Sequence, residues 1–549
     1  MKIALATLNT KIADLDGNSQ KIIEYAHHAA QLGADLLVTP ELSLCGYLPY
    51  DLLDYSFFIE EMKEFLDVIS QKLPPDLPVV VGWVSSNHET RSLYNSASIL
   101  YQGQEVLRQS KILIPNNDVF DERRYFSPGK EFITWNYQGF NIGVLICEDF
   151  WYHTEIGVQY SYPIDPVQEI IRSGANLILG ISASPFEVNK NHVRKTIIQK
   201  HAETYKVPIV YTNLVGGNDG LIFDGGSFVF NSHGELIHET EGFMEQLDLV
   251  DLESEKISHP RVSPQKQIFD ALVMGTRDFV FKNNFQQVHL GLSGGIDSAL
   301  VAVIATFAVG KNNVVCFAMP SRYSSESSLR DAEALAQNLQ IPLKTISIDP
   351  VFQAYVDSLG PHFGERFYGT PIENIQARIR GNFLMAWSNS QGSLLLTTGN
   401  KSELATGYCT LYGDMAGGLA VIADLFKTQV YEICHWINQE FSTLIPESIL
   451  VKEPSAELKE NQKDQDTLPP YPVLDEILTE YLIHNKKASE ITSYDQDLMN
   501  RVIGMSASAE HKRYQAPPLL KISPKSFGLG RRMPISRNYP EVLKPNKNL

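Results

Sequence analysis

Apolar and polar positions alternate along the chain in two distinct rhythms. In the first half, short runs of strand formers recur at 2–8, 35–39, 78–84, 95–101, 141–147, 176–181, 208–213 and 226–230. Stretches with helical spacing lie between several of them, as at 18–32 and 57–71. That alternation predicts a layered α/β domain. The second half starts with a helical stretch at 268–282 and a strand at 288–292. It continues as helix 296–308, strand 314–318, helix 327–339, strand 344–348, helix 376–389 and strand 393–397. Strands alternating with helices in this way predict a doubly wound parallel sheet, whose ligands gather beyond the strand C-termini. Between the halves, LDLVDLESEKISHPRVSPQKQ is charged, carries two prolines and sustains no period. It reads as a linker. The expected domains are therefore 1–250 and 268–549, with 251–267 joining them. The polar stretch 453–470 reads as a mobile lid.

Composition narrows the possibilities. Of 549 residues, 43% are apolar and 20% charged, as in a soluble protein with a large core. A net charge of -18 argues against a nucleic-acid or anionic-membrane binder. No run approaches the ~18 apolar residues of a membrane span. MKIALATLNT lacks the basic region and long apolar run of a signal peptide. Five cysteines without a C-x-x-C pair argue against a disulfide framework or zinc site, and fit a reducing cytoplasm.

One stretch, QVHLGLSGGIDSAL at 287–300, combines a strand, a Gly-rich turn and a helix start. Glycines let the backbone approach an anion, and the helix N-terminus adds positive partial charge. No Gly-Lys-Ser/Thr follows, so this is not a Walker loop. The pattern SGG-x-DS resembles the pyrophosphate loop of the ATP pyrophosphatases, enzymes that adenylate an oxygen of their substrate. The resemblance implies ATP contacts from Gly291 and Leu292 through Ser293, Gly294, Gly295 and Ile296 to Asp297 and Ser298. It also implies that Asp297 helps hold Mg2+.

Three polar residues of the first half sit beside strand ends: Glu41 after DLLVTP, Lys111 in RQSKILIP, and Cys147 closing NIGVLIC. A cysteine is a nucleophile only where a base or cation favours its thiolate. A carboxylate can take that proton and return it to a leaving amine. A lysine can neutralise a tetrahedral oxyanion. Taken singly, such residues are mostly packing or solvated surface. Together, PELSLCGY, K-x-x-x-P and CED-x-W in that order resemble the nitrilase superfamily. That resemblance implies an αββα sandwich over residues 1–250 and C–N bond hydrolysis through a thioester. Glu41 would be the general base, Cys147 the nucleophile and Lys111 the oxyanion partner, with Glu122 a second carboxylate nearby. The glutamine-using branch adds Glu148, facing the amine, and Ser184 and Lys190, holding the α-carboxylate end. Where that branch commonly has Tyr, six residues after the lysine, this chain has Asn117. An amide there can hydrogen-bond but offers no aromatic wall to glutamine.

Three stretches of the second half resemble the NAD synthetase family: 397–427, rich in small residues with spaced carboxylates, PIENIQARIRG at 371–381, and AEHKRYQAPPLLKIS at 509–523. The resemblance implies ATP contacts at Thr398, Lys427 and Ser455, the last where Thr is common. It implies a Mg2+ and substrate-side carboxylate at Glu403. Deamido-NAD+ contacts would come from Asn374, Arg378, Asp414, His511 and Lys512. Fused to a nitrilase-like half, this implies amidation of deamido-NAD+ by ATP and L-glutamine, in a homo-oligomer with a water-poor ammonia tunnel. Three other readings stay open. One is a tRNA-modifying ATP pyrophosphatase, which lacks support because paired cysteines and a basic surface are missing. Another is an ammonia-dependent synthetase whose first half is no glutaminase. The third is a carbon–nitrogen hydrolase fused to an unrelated nucleotide-binding module.

Overall fold

The computed structural model describes residues 1–87, 89–152, 162–258 and 262–538. It separates into two compact units, Met1–Val262 and Ser263–Leu549. Part of the expected linker, 259–261, and the end of the second expected domain, 539–549, lie outside the described residues.

The first unit runs β1 (Lys2–Thr7), α1 (Leu15–Gln31), β2 (Leu36–Val38), α2 (Ser56–Lys72), β3 (Val79–Asn87), β4 (Ser92–Tyr101) and β5 (Gln104–Ser110). It continues with β6 (Thr134–Tyr137), β7 (Phe140–Ile146), α3 (Pro166–Arg172), β8 (Leu177–Ser182), α4 (Lys190–Tyr205) and β9 (Ile209–Asn213). A hairpin of β10 (Val215–Asn218) and β11 (Leu221–Asp224) follows, then β12 (Phe228–Phe230), β13 (Leu236–Glu239) and β14 (Gln246–Asp251). Two six-stranded sheets result, ordered β14-β1-β2-β3-β4-β5 and β13-β12-β9-β8-β7-β6. Ile3, Leu5, Val38 and Val80 of one meet Val144, Ile146, Leu179 and Ile181 of the other in a shared core. The outer faces are covered by helices. Ile22, Ala26, Phe58 and Met62 of α1 and α2 pack on the first sheet, and Ile170, Ile197 and Ala202 of α3 and α4 on the second. This is an αββα sandwich. With both faces covered, β7 and β8 are continuous apolar runs rather than alternating ones.

The linker reading of 247–251 is corrected. These residues form β14, which pairs antiparallel with β1 in the register Lys2↔Asp251. Leu247 and Leu249 pack towards the helix side and Val250 towards the inter-sheet core. The alternation LDLV was the strand signal, and its aspartates masked it.

The second unit runs α5 (Pro264–Lys282), β15 (Val288–Gly291), α6 (Ile296–Val309), β16 (Val314–Ala318), α7 (Glu326–Leu339), β17 (Leu343–Thr345), α8 (Asp349–Phe363) and α9 (Thr370–Gln391). After β18 (Leu394–Thr397) come α10 (Lys401–Thr406), β19 (Leu419–Ala420), α11 (Lys427–Glu440), α12 (Glu447–Val451), α13 (Tyr471–Leu482), α14 (Gln496–Ser508) and α15 (Glu510–Arg513). Its sheet is ordered β17-β16-β15-β18-β19, and all four pairings are parallel. The order reverses at β15, so the loop beyond β15 lies at a switch point of a doubly wound sheet. The stretch 453–470, read as a mobile lid, is tied down in this structure. Gln376 Nε2 donates to the Leu458 carbonyl at 2.9 Å, and Tyr471 OH to Asp464 at 2.8 Å. Among the described residues no helix is long and apolar enough to cross a membrane.

His289 fastens β15 to its neighbours. Its Nε2 bonds the Leu384 carbonyl at 2.9 Å, which can only accept, so that nitrogen carries the proton. Nδ1 then accepts from the Ser393 hydroxyl at 2.8 Å. Burial pushes this ring below its ordinary value of 6.5, against the smaller opposing effect of the Leu384 bond. The unfolded chain therefore binds the proton more readily. Stability should be full above about pH 6.5 and fall as the pH drops below it. Urea midpoints between pH 5 and 8 should decline on acidification, and less steeply in His289→Asn.

Candidate functional site

In the first unit, three loops bring charged side chains into a dry box between the sheets. Glu41 follows β2, and β3 passes close behind it. A Cβ on Gly82 would lie 2.5 Å from the Pro40 carbonyl oxygen and the Leu42 nitrogen, so glycine is required there. Lys111 follows β5, and Glu122 opens a short turn. Glu41 and Glu122 are fully buried, and Lys111 is 1% exposed. Lys111 Nζ donates to Glu41 Oε1 at 2.8 Å and to both Glu122 oxygens at 2.8 and 2.9 Å. The Ala183 N–H donates to Glu41 Oε2 at 2.7 Å, and Tyr47 OH to Glu122 at 2.8 Å. Burial works against the Lys111 charge, but Glu122 and Glu41 overcome it and hold the ammonium firmly protonated.

Cys147 begins the turn after β7 with a φ of 47°, a conformation that L-residues seldom adopt. Asp149 staples that turn in place. Its Oδ1 accepts from the Ile112 and Leu113 N–H groups at 3.0 and 2.8 Å, and its Oδ2 from Ile146 at 3.0 Å. One carboxylate thus ties the cysteine turn to the backbone that follows Lys111. Burial raises the Cys147 thiol, and Glu41 raises it further, while Lys111 and a hydrogen bond from Ser182 favour the thiolate. The resting group is a thiol beside a carboxylate. It can lose its proton as it attacks.

Around this box, Glu148 accepts from Tyr162 OH at 2.8 Å. Burial raises the Glu148 carboxyl, opposed by Tyr162, Lys111 and Lys190. Lys190 starts α4, with Nζ 5.8 Å from the Phe120 ring centre. The Phe120 N–H bonds the Asn117 carbonyl at 2.9 Å, and Asn117 Oδ1 is buried without a partner. Ser184 is 2% exposed, with its N–H on Asn213 Oδ1 at 2.9 Å.

In the second unit, the turn after β15 is held by hydroxyls. Ser293 Oγ and Ser298 Oγ lie 3.1 Å apart, the Gly295 N–H donates to Ser293 Oγ at 3.2 Å, and Ser298 Oγ donates to the Gly295 carbonyl at 3.0 Å. Gly294 has a φ of +79°, and a Cβ there would lie 2.1 Å from the Ser328 carbonyl oxygen. Asp297, one residue into α6, forms an ion pair with Lys427, the first residue of α11. Lys427 Nζ also lies 3.9 Å from Glu403. Burial and the Asp297 charge push the Glu403 carboxyl well up, with Lys427 pulling it down. Two carboxylates thus compete for one ammonium.

The strip 400–403 positions this cluster. Asn400 caps α10, and its Nδ2 donates to Asp297 Oδ1 at 3.0 Å. Lys401 is fully buried on Asp424 at 2.8 Å and Ser523 Oγ at 2.7 Å. Ser402 donates to Asp475 at 2.5 Å and accepts from the Lys427 N–H at 2.9 Å. Glu403 caps back onto the Asn400 N–H at 3.1 Å. Thr398 directly follows β18. Ser455 lies in an exposed turn with its hydroxyl on the Gln462 carbonyl at 2.6 Å.

Four other expected residues meet at the 407–414 loop. Thr410 OH donates to Asn374 at 2.8 Å, its N–H to Asp414 at 2.7 Å, and Arg378 Nε donates to the Leu411 carbonyl at 3.2 Å. Lys512 Nζ bonds the Gly407 and Cys409 carbonyls at 2.6 and 2.8 Å. His511 instead bonds the Ser508 carbonyl at 3.1 Å. A cavity of ≈ 320 Å³ beside this loop is lined by Gly381, Asn382, Tyr412, Met415 and Gln515, among others.

Residues 2–259 match the carbon-nitrogen hydrolase family, and residues 268–516 the NAD synthase family. A glutamine-dependent NAD(+) synthetase of Synechocystis sp. is 45% identical, with 98% of this chain and 99% of the relative covered. The chain belongs to the glutamine-dependent NAD(+) synthetases. The Thermotoga maritima member of this family is 42% identical over 99% of this chain and 100% of its own length. Among solved structures, the glutamine-dependent NAD+ synthetase of Acinetobacter baumannii in complex with ADP superimposes with a TM-score of 0.78. It is 37% identical, covering 97% of this chain and 98% of that one.

Several side chains that build both clusters carry no assigned role in the sequence patterns: Tyr47, Asn95, Asp149, Ser182 and Asn400. Tyr47 and Asp149 fall inside the motifs PELSLCGY and CED-x-W, and Asn400 has a signal of its own, because N-x-x-E before a helix is a capping box.

Proposed function

We propose that this chain makes NAD+ from deamido-NAD+, ATP and L-glutamine, releasing AMP, pyrophosphate and glutamate. The observation that carries the reading is one chain, similar over its whole length to this family, with a Glu–Lys–Cys box in one unit and an Asp–Lys–Glu cluster at a phosphate-type turn in the other.

In the first unit, Cys147 Sγ attacks the side-chain amide carbon of glutamine while Glu41 takes the thiol proton. Lys111 Nζ balances the charge on the tetrahedral oxygen. Glu41 gives the proton to the leaving amine, so ammonia departs and a thioester remains. A water then attacks the thioester, losing its proton to Glu41. Glutamate leaves, and the proton returns to sulfur. Glu148 meets the amine, while Ser184, Lys190 and Asn117 hold the rest of the glutamine.

In the second unit, a nicotinate carboxylate oxygen of deamido-NAD+ attacks the α-phosphorus of ATP. Pyrophosphate leaves against Lys427 and the turn from Gly291 to Ser298, with Thr398 and Ser455 completing the ATP site. Ammonia attacks the acyl carbon, and AMP departs with a proton lost. Asn374, Arg378, Asp414, His511 and Lys512 hold deamido-NAD+. Among the described residues no group of three or more His, Cys, Asp or Glu could hold a metal. The two hard oxygen donors Asp297 and Glu403, short of positive charge, suit Mg2+, which keeps waters and shares substrate phosphates. Bound there, Mg2+ would supply charge to the departing pyrophosphate. We place the enzyme, as a homo-oligomer, in the cytoplasm, consistent with free thiols at all five cysteines.

The deciding assay supplies ATP, Mg2+ and deamido-NAD+ with either glutamine or ammonium, and follows NAD+ and AMP. Formation of ADP, or of no NAD+ with either nitrogen source, would sink the proposal. Turnover with ammonium alone would leave the first unit without a glutaminase role. Gly294→Ala should raise the KM for ATP about tenfold or more, because one lost phosphate contact is worth ~1.4 kcal/mol or more.

A further inference from the structure

We propose that Asn95 is a positioning residue for amide cleavage, its side-chain NH2 fixing Glu41 and Glu122, whose two charges the single Lys111 ammonium cannot neutralise. This rests on the glutaminase reading of the first unit. Asn95 lies on β4, fully buried. Its Nδ2 donates to Glu41 Oε1 at 2.7 Å and approaches Glu122 Oε2 at 3.5 Å. Its main-chain carbonyl accepts from the Lys111 N–H at 2.8 Å, while its side-chain oxygen Oδ1 is buried with no hydrogen-bond partner. A flipped amide would point that oxygen at two carboxylates, so the orientation is settled by charge. An orphaned buried acceptor destabilises the fold. A leucine of similar shape would avoid that cost but would strip the buried Glu41 carboxylate of a donor, so the amide is kept for what its NH2 does to the carboxylates.

Charge explains it. The box holds two carboxylates and one ammonium, leaving one excess negative charge away from water. Burial and the Glu41 charge already raise the Glu122 carboxyl. The other ionisable groups acting on the box are Lys111, Tyr47, Cys147, Glu148, Tyr162, Tyr211 and Asp149, whose carboxyl is pushed up to about 7 by burial. None of the neutral ones among them donates to Glu41 in place of Asn95. Without the NH2, the carboxylate pair takes up a proton at higher pH, and Glu41 is then lost as the acceptor for the Cys147 proton.

The test measures glutamate release from glutamine against pH in the full chain, with Asn95→Leu and Asn95→Asp beside the wild type. The three side chains are close in shape and differ in what they offer the carboxylates. Asn95→Leu should move the acid limb of kcat/KM up by about one pH unit. Asn95→Asp, adding a third carboxylate, should move it further. At the pH optimum kcat should fall while the KM for glutamine stays within about twofold, since Asn95 acts through Glu41 and not on the substrate. An unmoved acid limb with activity scaled down equally at every pH overturns the proposal. If the leucine variant does not fold, the aspartate variant decides alone. A wild-type chain that releases no glutamate from glutamine overturns the glutaminase reading itself, and a Glu41→Gln enzyme that releases it at the wild-type rate removes only Glu41 as the base.

Discussion

Cys147→Ala is expected to cut glutamine-driven NAD+ formation by ~10^4-fold or more and leave ammonia-driven formation within about twofold, a loss typical of removing a nucleophile. The asymmetry follows from where the residue sits. Cys147 directly follows strand β7 of the first unit, where the charges of Glu41 and Lys111 and a hydrogen bond with Ser182 act on its thiol. Alanine keeps the buried volume nearly unchanged and leaves the Asp149 staple with all three of its N–H donors. The acyl group then has no sulfur to form on. Ammonium supplied directly bypasses that step. The check is NAD+ formation with each nitrogen source in turn. Normal use of glutamine by the variant would remove Cys147 from the reaction.

Asp297→Asn is expected to lower both routes by ~10^3-fold or more, because pyrophosphate departure depends on charge stabilisation at this point. The substitution keeps the shape that receives the Asn400 amide and deletes only the charge. Lys427 loses its ion-pair partner, and Glu403 loses the neighbour that raises its proton affinity. The ammonium is then free to turn to Glu403. The Mg2+ concentration needed for half-maximal rate should rise in parallel. Ammonia-driven turnover at the wild-type rate would rule out a part for Asp297 in the adenylating step.

The residues that carry chemistry were legible because their neighbours are written beside them. CED-x-W, SGG-x-DS and the 397–427 block each put several functional groups on one short segment. The parallel sheet of the second unit was legible too, since its strands and helices announce themselves by period. What the residues lean on was not. Asn95 reaches Glu41 across 54 positions, and Asp149 reaches Ile112 across 37. Such pairings exist only once strands are registered side by side, and no local pattern encodes them. β14 was misread for a related reason. Its pairing with β1 joins the two ends of the first unit, and its aspartates looked like solvent-facing linker.

The strip from Asn400 to Glu403 answers at consecutive positions to Asp297, to Asp424 and Ser523, to Asp475, and to the neighbourhood of Lys427. One added or deleted residue would swing every side chain after it by about 100° about the helix axis. Each would then face the wrong neighbour at once. Length, more than the identity of any one residue, is therefore what drifting descendants of this chain have least freedom to alter between Gly399 and Leu404.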